Sequence, residues 1–261
     1  MRNTTIIIPA RWASTRFEGK PLAPIKGSTG IVKPLIQRTW DVAQEAMRHG
    51  LPGEEIDNVY VATDSALIAD TCRAFGARVI MTSQAHHNGT ERCAQAAAIL
   101  GIRPDDVVIN LQGDALMTLP AHIAALGHAF SADPHRPKVA TLVMPVEGLP
   151  TFGDVQAVLT DDMRAVYFSR AAIPYVQTGA PVPKYYQHIG VYGYRESALN
   201  RYVNLWPSPA EQSEQLEQLR FIEHGTPIQC VEAIPHRRLI EVNTPEDVAR
   251  VEAELVKWNI E

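Results

Sequence analysis

The sequence is poor in the features that mark several large protein classes. It has three cysteines, Cys72, Cys93 and Cys230, widely spaced and odd in number. That excludes a disulfide framework and the spacing of a metal finger, and it predicts buried free thiols in a reducing compartment. No apolar run approaches the ~20 residues needed to cross a bilayer. The first residues run straight into a strand, without the basic and apolar regions of a signal peptide, so the expected location is cytoplasmic. An excess of positive charge is missing too: 24 Lys and Arg stand against 29 Asp and Glu, a net charge of −5. No general binding of nucleic acid or of a membrane surface is therefore expected. Neither GxxxxGK[ST] nor GxGxxG occurs, which weakens a plain kinase or dehydrogenase reading. There is no internal repeat, low-complexity tract or linker-like stretch.

What is present is a chain of 261 residues, 46% hydrophobic and 20% charged, enough to bury a sizeable core. TTIIIPA, NVYVATD, RVIMTS and DDVVINLQGD read as strands, and helical patterns follow each of them. Gly50, Gly76 and Gly101 punctuate those helices, and Pro120 opens the fourth. Four strand–helix alternations predict βαβ units and a mostly parallel sheet covered on both faces. The second half changes character. KVATLVMPV, VQAVLTDDMRAVYFSR and HIGVYGYR read as strands without intervening helices, with a hairpin turn at Asp161–Asp162. ALNRYVNL and SPAEQSEQLEQLRFIEHG read as helices, PIQCVEAI as a strand, and TPEDVARVEAELVKW as a last helix with Thr244 as N-cap and Pro245 at its first position. The expected architecture is one domain over 1–261, with a smaller mixed-sheet region in its second half.

In such a sheet, ligands bind beyond the carboxyl ends of the strands. After the first strand come Arg11, Ser14, Arg16, Gly19 and Lys20, small and basic residues suited to a phosphate cradle, or else an ordinary solvated loop. After the second comes Asp64. After the third come Thr82 and Ser83, then Asn88, Gly89, Thr90, Glu91 and Arg92; NGTER fits a turn with a helix N-cap as well as an anion contact. His86 and His87 are adjacent and point apart, which favours a surface pair over a metal site. After the fourth strand come Gln112, Gly113 and Asp114, a carboxylate suited to Mg²⁺ beside a phosphate loop, or a simple Asp turn. His188 and Tyr192 share one face of a strand. Glu217, Gln218 and Arg220 lie on a helix, and Asn243 precedes the last one.

Taken together, IIIPARWASTRFEGKPL, VATD, MTS with NGTER, NLQGD, YFSRAAIPY, HIGVYGY, PSPAEQSEQLEQLR and VNTPEDVARVEAEL resemble the 3-deoxy-manno-octulosonate (Kdo) cytidylyltransferase family over nearly the whole chain. The resemblance implies a three-layer α/β fold of nucleotidyltransferase type, Rossmann-like, and a homodimer. It implies Mg²⁺-dependent transfer of CMP from CTP to an acidic sugar, with loss of pyrophosphate. Arg11, Ser14, Arg16 and Lys20 would hold the triphosphate. Thr82, Ser83, Asn88, Gly89 and Arg92 would lie near cytosine and ribose, and Gln112 near the junction of nucleotide and sugar. Asp114 would bind Mg²⁺, so that Arg11, Lys20 and Asp114 form the catalytic set. His188, Tyr192, Glu217 and Gln218 would contact the sugar, and Arg170 its carboxylate.

Several positions depart from the family. QGDAL stands where QGDEP is usual, and NGTER where SGTDR is usual. Asn243 stands where the family usually has an Asp that is a second metal ligand. A lysine often found before YFSR is replaced near Gln156–Ala157, and KGSTGIVKPLIQ is extended. An amide brings no negative charge, so a weaker or relocated second metal site is expected. These changes surround the metal and the acceptor while the phosphate loop is intact. They leave room for two alternatives: a CMP-phosphonate-forming cytidylyltransferase, or a catalytically silent nucleotide-binding protein.

Overall fold

Every residue of the first strand, β1 (Thr4–Ala10), is buried. A strand of that kind needs cover on both faces. The computed structural model describes residues 3–13, 16–49, 56–132, 137–146, 154–236 and 240–260, and shows how that cover is provided. After β1 the chain makes a small antiparallel hairpin, β2 (Pro24–Lys26) and β3 (Val32–Pro34), and enters α1 (Leu35–His49). Alternation follows: β4 (Ile56–Thr63), α2 (Ala66–Ala74), β5 (Arg78–Met81), α3 (Gly89–Leu100), β6 (Val107–Asn110) and α4 (Pro120–Ala132). Ser65 caps α2 by accepting the Ile68 N–H at 3.4 Å, and Asn88 caps α3 by accepting the Glu91 N–H at 2.8 Å. The second half supplies β7 (Val139–Val146), β8 (Gln156–Leu159), β9 (Ala165–Ser169), β10 (Tyr185–Arg195), α5 (Glu196–Val203), α6 (Pro209–Glu214), α7 (Leu219–Glu223), β11 (Ile228–Glu232) and α8 (Asp247–Lys257).

The main sheet runs β11-β7-β10-β6-β1-β4-β5. β6, β1, β4 and β5 are parallel, while β10 inserts antiparallel between β6 and β7. The strands of the second half thus extend the first-half sheet instead of forming a separate one. β8 pairs with both β10 and β9, and the turn between β8 and β9 spans Asp161–Asp162 as expected. The period of two along β1 sorts its side chains between two layers. Ile6, Ile8 and Ala10 pack in one cluster with α1, α2 and α4; Ile7 packs in another with α3 and α5. The three layers expected from the alternation follow. Among the described residues, no helix is long and apolar enough to cross a membrane. All three cysteines are free and buried.

A third cluster was not legible in the sequence. Ile25 and Leu35 pack with Leu116, Met117, Ile240, Val242, Val251 and Leu255. It draws α8 and the segment before it onto the β2–β3 hairpin, whose residues read as plain loop. The Lys26 N–H also donates to Glu252 Oε1 at 2.7 Å. This packing brings residues from opposite ends of the chain to one side of the sheet.

Two helix expectations need correction. The helix expected over Ser208–Gly225 is broken into α6 and α7 at Gln215, which adopts a left-handed φ of 55°. Contacts from distant strands account for the break. The Glu214 carboxylate takes the Ser169 hydroxyl at 2.5 Å and the Arg170 N–H at 3.0 Å, while Glu211 grips Arg220 with two bonds of 2.7 Å. The last helix starts at Asp247, not after Thr244. Instead of capping, Thr244 is itself bound: Asp247 Oδ2 accepts the N–H groups of Asn243 at 3.0 Å and Thr244 at 2.9 Å.

Candidate active site

The loop after β1 begins at the carboxyl edge of the sheet and is tied there by Asp64, at the end of β4, which accepts the Trp12 N–H at 3.1 Å. Gly19 turns the loop with a left-handed φ of 67° under the Trp12 ring, which would stand 3.1 Å from an added Cβ. From this loop two cations reach other segments. The Lys20 ammonium contacts the Asp114 carboxylate, and Arg16 Nη2 donates to Asn243 Oδ1 at 3.0 Å. Arg11 is exposed and makes one long bond, 3.5 Å, to the His87 carbonyl. Ser14 lies outside the described residues. Arg11, Arg16 and Lys20 thus sit on one loop that faces Asp114 and Asn243, the two positions expected to hold metal.

The turn carrying Asp114 is closely fitted. At Gly113 an added Cβ would meet the Pro9 carbonyl oxygen at 2.8 Å, so the turn lies directly against β1. Thr39 Oγ1 donates to the Gly113 carbonyl at 3.0 Å. Across from it, an added Cβ at Gly89 would stand 2.9 Å from Gln112 Nε2, so the small residue lets the Gln112 amide lie on the first turn of α3.

Arg92, expected near cytosine and ribose, points into the protein. It is 2% exposed and its guanidinium is committed inside the protein. Nη1 donates to Thr82 Oγ1 at 2.6 Å and to the Ser83 carbonyl at 3.2 Å, and Nη2 to Asp64 Oδ2 at 3.0 Å. A buried charge survives when it is paired and hydrogen-bonded in this way. Arg92 and Asp64 lock the loops after β1, β4 and β5 together. Asn88 is likewise engaged, capping α3 and donating to the Tyr202 hydroxyl at 3.0 Å. Ser83 stays exposed, with its N–H on Gln95 Oε1 at 2.7 Å. His86 also bonds Gln95, at 2.6 Å, and His87 is exposed, as a surface pair should be.

On the other side, β10 places the rings of His188 and Tyr192 5.4 Å apart on one face. His188 Nε2 lies 3.0 Å from Thr141 Oγ1, and burial pushes its pKa down to about 3. It is a neutral imidazole at physiological pH, unsuited to proton transfer there. Tyr192 donates to Gln218 Oε1 at 3.1 Å; Gln218 is 2% exposed and its Nε2 has no partner among the described residues. Glu217 Oε2 accepts the Thr90 N–H at 3.2 Å, from the first turn of α3. The break at Gln215 is what presents Glu217 and Gln218 to α3 and β10. Arg170 is exposed and held at the end of α6, its Nε donating to the Glu214 carbonyl at 3.0 Å.

Desolvation raises the Glu217 carboxyl to about 7; the charges of Glu211 and Glu91 push the same way, against the Thr90 bond. The folded chain therefore keeps a proton there that the unfolded chain releases near 4.5. The stability associated with that proton is complete below about 4.5 and is lost as pH rises through about 7. Glu217→Gln should flatten this slope, sparing roughly 2 kcal/mol of the loss between pH 5 and pH 8 in urea melts. Identical slopes in the two proteins would place that ionisation on another group.

One residue of the site escaped the sequence reading, Glu241, whereas Thr90, read there as part of NGTER, holds Glu217 through its N–H. Glu241 hydrogen-bonds Asn243 and lines a recess with Gln112, Asp114 and Gly190. Its signal was the alternation in EVN, which puts residues two apart on one side of an extended segment. Among the described residues, no three His, Cys, Asp or Glu side chains gather around a metal position. The oxygen donors that are present, the carboxylates of Asp114 and Glu241, suit Mg²⁺, which takes one or two carboxylates and draws on substrate phosphates and water for the rest.

Residues 5–233 match the profile of a family described as Cytidylyltransferase. A 3-deoxy-manno-octulosonate cytidylyltransferase of Myxococcus xanthus is 42% identical over 254 residues, covering 96% of this chain and 95% of that one. An 8-amino-3,8-dideoxy-manno-octulosonate cytidylyltransferase of Shewanella frigidimarina is 39% identical over 254 residues, covering 96% and 98%. Among solved structures, a CMP:2-keto-3-deoxy-manno-octonic acid synthetase complexed with CTP superposes with a TM-score of 0.84 at 33% identity, covering 98% of this chain and 99% of that one.

Proposed function

This chain belongs to the cytidylyltransferase family, and from that premise we propose that it transfers CMP from CTP to Kdo or a Kdo-like acid sugar and releases pyrophosphate. The observation that carries the reading is the contact between Lys20, on the basic loop, and Asp114, on the turn after β6. That contact supports reading Lys20 as a phosphate-binding cation and Asp114 as a metal-binding carboxylate at one position, where the α-phosphate would react.

The chemistry asks for positioning and for neutralisation of charge. Arg11, Arg16 and Lys20 bind the triphosphate and stabilise the leaving pyrophosphate. Gln112, held against α3, orients the reacting end of the nucleotide. Tyr192, Gln218 and Glu217 hydrogen-bond the sugar, with the unpartnered Gln218 Nε2 as a donor ready for a ligand oxygen. Mg²⁺, when bound at Asp114, would polarise the phosphate and lower the pKa of the attacking hydroxyl. His188 stays neutral and shapes the acceptor side. Arg170, anchored at α6, is proposed to meet the sugar carboxylate. The reading carries with it the homodimer that the resemblance implies and the cytoplasmic location expected from the sequence.

The test is pyrophosphate release with CTP and Mg²⁺ against Kdo, 8-amino-Kdo, sialic acid and small phosphonates. Release with Kdo or its amino analogue is expected. Release with phosphonates alone would replace this acceptor, and CTP binding without release from any acceptor would make the chain a binder.

A further inference from the structure

We propose that Glu241 supplies the second metal-binding carboxylate of this site, and that Asn243 positions it instead of ligating the cation itself. The proposal rests on the cytidylyltransferase reading above.

The first argument is that the Asn243 oxygen is already committed. Its Oδ1 accepts Arg16 Nη2 at 3.0 Å. An amide oxygen shared between a guanidinium and a divalent cation would hold two positive charges against each other. With Oδ1 turned to Arg16, the amide Nδ2 is the atom left to donate to the Glu241 carboxylate, and a side-chain bond joins Asn243 and Glu241. Asn243 therefore bridges a cation and an anion. That is the work of a residue that orients a metal ligand.

The second argument is where the backbone sends these side chains. Ile240 and Val242 are 7% and 0% exposed and anchor the segment in the cluster beneath the β2–β3 hairpin. Glu241, between these two anchors, lines the recess shared with Gln112 and Asp114. Glu241 Oε1 reaches across it toward β10, where it stands 3.9 Å from the Cβ that Gly190 lacks.

The third argument is charge. Asp114 and Glu241 together provide the two carboxylates that a pair of divalent ions needs beyond substrate phosphates. Lys20 and Arg16 flank them, and both sit on the phosphate loop. The negative charge that an Asp would have brought at 243 is thus present two residues earlier, on the same segment.

The experiment counts Mn²⁺ bound to the intact protein with CTP present, by loss of the free-ion EPR signal, in parallel with CMP transfer. The native chain should bind two Mn²⁺. Glu241→Gln should bind one. Asn243→Ala should keep two, with the second weakened roughly tenfold. Glu241→Asp, which retains a carboxylate, should recover the second ion in part and guards against a folding artefact, as does an unchanged melting curve for Glu241→Gln. Two ions of native affinity in Glu241→Gln, or only one in the native chain, would overturn the proposal. So would loss of the second ion in Asn243→Ala with Glu241→Gln unaffected. A native chain that binds no CTP and transfers no CMP would instead sink the underlying reading.

Discussion

Asp114→Asn should leave a folded protein whose pyrophosphate release falls roughly a thousandfold, a loss in the range of removing a key charge-stabilising group. The substitution keeps the shape of the side chain and removes its charge. The turn around it is fixed by other contacts: the Gly113 approach to the Pro9 carbonyl and the Thr39 hydroxyl on Gly113. Asp114 is only partly buried, so the melting temperature should move little. The effect should fall on kcat. Without metal, CTP should bind the variant at least as well as the parent, because Lys20 loses a carboxylate partner and is free to meet phosphate. Steady-state kinetics beside metal-free CTP titrations check this split. A variant retaining more than a tenth of the parent rate would remove Asp114 from the catalytic set.

Arg92→Leu should cost about 3–5 kcal/mol of stability, because it strands one member of a buried ion pair. The side chains of Arg92 and Asp64 are 3% and 8% exposed. Removing the guanidinium leaves the Asp64 carboxylate, among the described residues, with only the Trp12 N–H, and takes a donor from the Thr82 hydroxyl and the Ser83 carbonyl. The loops after β1, β4 and β5 lose their common tie, so CTP affinity should fall together with stability. Asp64→Asn added to Arg92→Leu should recover part of the loss, since the stranded charge is then gone. Urea unfolding of the single and double variants measures it. A large loss of CTP affinity with stability intact would return Arg92 to the role of a direct nucleotide contact.

The Arg92 result shows where reading a sequence stops. The NGTER stretch offered an anion contact and a helix cap at once, and nothing local decides between them. Asn88 took the cap, while Arg92 turned inward because Asp64, 28 residues away, waits at the end of the neighbouring parallel strand. Gln215 is a second case. Its neighbours carry a helical pattern, and the chain breaks there because Glu214 and Glu211 find partners on β9 and α7.

The sequence by itself determined the alternation of strands and helices, the burial of β1 on both faces, the free cysteines and the basic loop followed by a carboxylate turn. Each of these is local: a period of two or 3.6, a cap, a glycine or a proline close to the event it controls. Only the tertiary structure decided that β10 inserts between β6 and β7, that Glu217 meets the first turn of α3, and that Glu241 and Asn243 face Lys20 and Arg16 from the far end of the chain. Those pairings join residues far apart in the chain, 127 positions for Glu217 with Thr90 and 227 for Asn243 with Arg16. They are selected by which faces pack together in the finished core, and no local pattern records that choice.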